Sequence, residues 1–123
     1  MAHGLLDLPG ARERFEEASA LLGRDLLAIC QGQGSGELAD LADTRNTQPA
    51  LFVIESLLAS QLQAQGRSAS LVAGHSLGEL VALHVAGVFD FATGLALLVF
   101  EHSQKFGTGR FHPAFDAFDI VAQ

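Results

Sequence analysis

The sequence predicts part of an α/β domain, mostly helical with one clear strand, and three observations carry that reading. Apolar residues recur at helical spacing through most of the chain. A short run, Ser68 to Gly74, has strand composition and gives way to a helical pattern immediately after a glycine. One strand cannot satisfy its own N–H and C=O groups, so it requires neighbours that this sequence does not obviously supply.

From Pro9 to Leu22, Phe15, Ala18, Leu21 and Leu22 fall on one helical face, opposite Arg12, Glu13, Glu16 and Glu17, and Gly23 is the stop. A short helical piece is expected over Asp25 to Cys30, followed by a glycine-rich loop from Gln31 to Gly36 that continues to Asn46. Thr47-Gln48-Pro49 opens the next helix, with Pro49 in the first turn where a missing N–H is harmless, and the helix runs to about Gln65. Leu51, Phe52, Ile54, Leu57, Leu58 and Leu62 cover so much of its circumference that burial on more than one side is expected. The strand follows, then helices over Leu77 to Ala86 and from Phe91 to about Lys105, the latter started by Asp90.

The chain divides in character near its end: twenty leucines precede Val99 and none follows, while five of nine phenylalanines lie from Phe100 onward. We therefore expect a region 1–99 and an atypical tail 100–123, in which Phe111, Pro113, Phe115 and Phe118 form at most a short aromatic-faced segment.

Composition excludes several partners. With a net charge of -7 and seven scattered Lys and Arg, the chain lacks the clustered cations that nucleic acid phosphates need. Cys30 stands alone, so no intrachain disulfide forms, and the start lacks a signal-peptide layout; a cytoplasmic setting is expected. The apolar run Leu80 to Phe100 is long enough to span a bilayer, but Asp90 would sit inside it and Gly87 interrupts it, so no membrane segment is expected. No metal-ligand pattern is present.

The chemistry concentrates in Ser70-Leu71-Val72-Ala73-Gly74-His75-Ser76-Leu77-Gly78-Glu79-Leu80. A serine flanked two residues away on each side by glycine, where strand becomes helix, has the pattern of a nucleophile elbow. The sharp turn lifts the hydroxyl clear and aims the following backbone N–H groups at a developing oxyanion. Ser76-Leu77-Gly78-Glu79 also reads as a capping box, with Ser76 as N-cap, and the two roles are compatible.

On Gly74 to Glu79, with Thr47-Gln48-Pro49-Ala50 upstream and Ala86 to Gly94 downstream, the chain resembles the malonyl-CoA:acyl carrier protein transacylase family, which includes polyketide synthase acyltransferase domains. The resemblance implies an α/β hydrolase-like acyltransferase large subdomain, present here in part. It implies that Ser76 accepts an acyl group from malonyl-CoA and passes it to the phosphopantetheine thiol of an acyl carrier protein, with no bound cofactor. Leu77 would supply an oxyanion N–H, Gln48 matches a glutamine near the active site, and His75 joins them as the motif neighbour. For Gln48, a simple helix-start role is an equal alternative.

The resemblance also implies parts with no match here. The family's opening strand and its Gly-Gln-Gly-Ser-Gln loop would precede Met1, and Gly32-Gln33-Gly34-Ser35-Gly36 imitates that loop at the wrong spacing, as a surface loop. The family's base histidine would lie beyond Gln123. His84 is expected to pack or face solvent, and His102 and His112 are weak substitutes. Glu101 falls where the family arginine pairs with the malonyl carboxylate, and would repel it. A frameshift or truncation would account for the tail. The alternatives are a non-catalytic remnant and a serine esterase or lipase, which shares the Gly-x-Ser-x-Gly turn.

Overall fold

The structure, a computed structural model, describes residues 4–107. Among them are five helices: α1 (Ala11–Leu22), α2 (Leu26–Cys30), α3 (Thr44–Ala64), α4 (Leu77–Val85) and α5 (Phe91–Gly107). They fall into two compact units, within Met1–Ser68 and Ala69–Gln123.

In the first unit, α1, α2 and α3 pack against one another. Ala11, Phe15 and Ala18, at i, i+4 and i+7, form the buried stripe of α1; of the expected face, Leu21 is exposed and Leu22 half-buried. Gly23 ends the helix in left-handed geometry, φ 71°, donating its N–H to the Ser19 carbonyl. The turn into α2 is closed twice: Ser19 Oγ accepts from the Leu26 N–H at 3.0 Å, and Asp25 Oδ1 caps α2 by accepting from Ala28 at 3.0 Å. Across the unit, Arg14 Nη1 donates to Ser56 Oγ of α3 at 3.2 Å, and that hydroxyl donates to the Val53 carbonyl at 2.8 Å, so this buried serine is satisfied.

Helix α3 starts earlier than its sequence suggested. Asp43 caps it by accepting from the Arg45 N–H at 2.9 Å, which adds Thr44 to Asn46 to the helix and moves Pro49 from the first turn into the second. The expected burial on more than one side also stops partway. Phe52, Val53, Ile54 and Leu57 are buried, whereas Leu58 and Leu62 are each 45% exposed because, among the described residues of this unit, none covers the C-terminal half of that face.

In the second unit α4 packs on α5, burying Leu80 and Leu83 of one and Phe91, Leu95 and Leu98 of the other. Each such side chain contributes about 2 kcal/mol on full burial. Between them Gly87, at φ 84°, turns the chain, and Val88 donates back to the Leu83 carbonyl at 3.0 Å. Asp90 then caps α5, its Oδ1 accepting from the Thr93 N–H at 2.8 Å. The apolar run Leu80 to Phe100 is thus two helices, and among the described residues no helix is long and apolar enough to cross a membrane. Helix α5 passes through residue 100 and continues to Gly107, the last described residue. The expected aromatic segment and His112 lie outside the described residues.

The expected strand is not found. No strand occurs among the described residues, and 68–74 belongs to no helix or sheet. The physical reason is that a strand exists only as part of a ladder, and among the described residues no second segment offers one. No hydrogen bond of the described residues involves 68–74, and Leu71 is 86% exposed.

Candidate active site

The backbone at Ser76 has φ 57° and ψ -117°, and Ser76 is the only non-glycine residue with positive φ among the described residues. For a residue with a Cβ, that conformation costs about 1–3 kcal/mol and persists only when its surroundings enforce it. The next turn shows what does. Gly78 donates to the His75 carbonyl at 3.1 Å and Glu79 to the Ser76 carbonyl at 3.0 Å, so α4 begins at once after the serine.

Gly74 makes the bend sterically possible. A Cβ there would lie 2.1 Å from both the carbonyl carbon and oxygen of Gly78 and 2.6 Å from the Glu79 nitrogen, all rigid backbone. The second flanking glycine differs from expectation: a Cβ on Gly78 meets nothing within 4 Å. Only the first glycine is required by the turn as it stands.

The Ser76 side chain makes no capping hydrogen bond, so its hydroxyl is not consumed by the helix end, and the residue is exposed. The capping-box role is therefore not adopted by this serine. Glu79 still places a negative charge in the first turn, favourable to the helix dipole. The N–H groups of Gly78 and Glu79 are engaged, while no hydrogen bond of the described residues uses that of Leu77. An exposed hydroxyl on a strained bend, followed by an uncommitted N–H at a helix start, can attack a carbonyl and hold the resulting oxyanion.

His75, Ser76 and Leu77 are consecutive in the second unit, with His75 exposed; Gln48 belongs to the first unit, half-buried in the second turn of α3. His84 is structural: Nδ1 lies 3.1 Å from the Phe89 carbonyl, to which it donates as the Nδ1–H tautomer, and the ring meets Phe91 edge-on at 6.2 Å. His102 and Glu101 lie half-buried on α5. Gly32 to Gly36 form a loop. Desolvation pushes the buried Cys30 thiol above its ordinary pKa, which makes it a poor nucleophile at neutral pH. Among the described residues no group of three or more His, Cys, Asp or Glu is placed to hold a metal.

Sequence reasoning missed the polar network at the start of α3, which precedes Gln48 in the chain. Asn46 is fully buried; its Nδ2 donates to the carbonyls of Leu38 at 3.0 Å and Asp40 at 2.9 Å, and its Oδ1 accepts from Arg24 Nε at 2.7 Å. Thr47 Oγ1 donates to the carbonyls of Leu41 and Asp43. Burial, and then the neighbouring Arg45 charge, lower the pKa of Arg24, against the pull of Asp43. The available signal was Pro49, which leaves the carbonyl four residues earlier without its helical donor.

Comparison with known proteins bears directly on this geometry. The family model described as "Acyl transferase domain" matches residues 5–105. The malonyl CoA-acyl carrier protein transacylase of Synechocystis sp. is 49% identical over 98 residues, covering 80% of this chain and 32% of that protein. The protein of the same name from Escherichia coli is 48% identical over 91 residues, covering 73% and 28%. The crystal structure of the Synechocystis malonyl-CoA:ACP transacylase superposes with a TM-score of 0.67 over 77% of this chain and 31% of that one, at 49% identity. The chain spans about a third of the length of these relatives.

Proposed function

The chain belongs to the acyl transferase domain family, and on that premise we propose that it carries the nucleophile of a malonyl-CoA:acyl carrier protein transacylase of fatty acid or polyketide synthesis. The observation that carries the reading is the Ser76 bend, φ 57° and ψ -117°, with the side chain exposed and free of a capping bond.

In this reading Ser76 Oγ attacks the thioester carbonyl carbon of malonyl-CoA. The oxyanion accepts from the Leu77 N–H, the C–S bond breaks, and coenzyme A leaves as its thiol with the proton that Ser76 gives up. The phosphopantetheine thiol of an acyl carrier protein then attacks the ester, and its proton returns to Ser76 Oγ. The reading gives a substrate-binding role to His75, next to the nucleophile in sequence, and to Gln48. His84 is not assigned the base, since it is held at the corner between its helix and α5.

The same reading makes 68–74 a strand of a parallel sheet in an α/β hydrolase-like fold, completed by polypeptide outside the described residues. Its unpaired backbone and the exposure of Leu71 support this. It also treats 1–99 as the acyltransferase part, 100–123 as a tail, and the setting as cytoplasmic.

Intact-mass measurement after exposure to malonyl-CoA tests the reading, with Ser76→Ala as control. A malonyl adduct on the wild type and none on the variant is expected. No adduct on folded protein favours a non-catalytic member of the family, and turnover of simple esters favours a hydrolase.

A further inference from the structure

Pro49 lies inside α3, where its missing N–H leaves the carbonyl of Arg45 without the i+4 donor, and its ring crowds that same carbonyl. Such a proline ordinarily ends or kinks a helix at the preceding residue, which here is Gln48. Yet the turn 44–48 is helical. Arg24, just beyond the end of α1, supplies the missing donor: Nη2 donates to the Arg45 carbonyl at 2.5 Å, Nε to Asn46 Oδ1 at 2.7 Å and Nη1 to the Leu22 carbonyl at 3.2 Å. The guanidinium thus bridges the end of α1 to two consecutive residues of the α3 start.

We propose that Arg24 is a positioning residue for Gln48: it substitutes for the backbone donor that Pro49 cannot provide, and so holds Gln48 on a helical turn. The functional weight of this rests on the reading that Gln48 belongs to the acyl-transfer site. The geometry of the clip does not. Three acceptors lie in different directions around one planar group, which a lysine ammonium on a single flexible stem cannot engage together. Asn46 completes the device by anchoring the preceding loop through the Leu38 and Asp40 carbonyls.

The test is amide exchange in the wild-type chain, Arg24→Lys, Pro49→Ala and the double variant, together with the Gln48 side-chain amide resonances. Arg24→Lys should speed exchange of the Asn46, Thr47 and Gln48 amides about tenfold, the scale of one lost charge-assisted hydrogen bond, and should shift the Gln48 resonances. Adding Pro49→Ala restores an N–H to the Arg45 carbonyl, so the double variant should return to within about twofold of Pro49→Ala alone. A merely structural arginine would show no such rescue. Unchanged exchange in Arg24→Lys, or a double variant no slower than Arg24→Lys, overturns the proposal. If Arg24→Lys unfolds the whole first unit, recovery of the α1 amides in the double variant decides in the same way. Failure of Ser76 to take a malonyl group would defeat the functional reading and leave the exchange result standing.

Discussion

The first unit joins its helices through a network of polar side chains, whereas the second holds a strained, exposed serine preceded by six residues, 69–74, that make no hydrogen bond among the described residues. Both side-chain polar atoms of Asn46 have partners, and even the carbonyl orphaned by Pro49 is bonded. Around Ser76 the hydroxyl is uncommitted and the preceding segment 68–74 makes no hydrogen bonds among the described residues. The contrast teaches where stability and reactivity reside: saturated networks rigidify, and a bend in a sparsely populated conformation stores strain where chemistry uses it.

The largest effect is expected at Gly74. Gly74→Ala sets a methyl against the backbone of Gly78 and Glu79, and should cost about 3 kcal/mol in denaturant unfolding of the second unit, or else straighten the bend at Ser76. A neutral result would mean that the close approach is not maintained in solution. Next comes Asn46→Ala, which strips partners from two loop carbonyls and from Arg24; a loss of about 2–3 kcal/mol should appear in the first unit's unfolding, with α4 and α5 undisturbed.

Gly78→Ala should do the opposite of Gly74→Ala. Its Cβ has open space within a helix, so a gain of about 0.5–1 kcal/mol is expected from propensity alone. A marked loss would show that another segment packs there in solution.

The smallest effect concerns pH. Hydrogen bonds from Thr93 hold the Asp90 carboxyl below its ordinary pKa. The folded-state value being the lower one, its contribution to α5 is complete above the unfolded pKa, about 4, and fades as pH falls through the folded value. Helical circular dichroism of Asp90→Asn against wild type between neutral and acid pH reads this, and identical acid profiles would remove the cap from the account.

Much of the fold was legible because helix signals are local. Gly23, Asp25, Gly87 and Asp90 mark their boundaries within a turn of where they act, and the Gly74-His75-Ser76-Leu77-Gly78 pattern marks the bend. The strand over 68–74 was legible as composition but not realised, since pairing depends on a partner segment elsewhere. The start of α3 was misplaced because Pro49 is an ordinary first-turn signal.

The sequence by itself determined the boundaries at Gly23, Gly87 and Asp90, and that a serine is presented between two glycines, because these depend on neighbours a few residues away. Only the tertiary structure decided that Ser76 is strained and uncapped, that Gly74 and not Gly78 bears the steric load, and that Arg24 rescues a carbonyl 21 residues downstream. Those outcomes depend on which atoms meet in space, and a hydrogen bond between distant residues leaves no periodic trace along the chain.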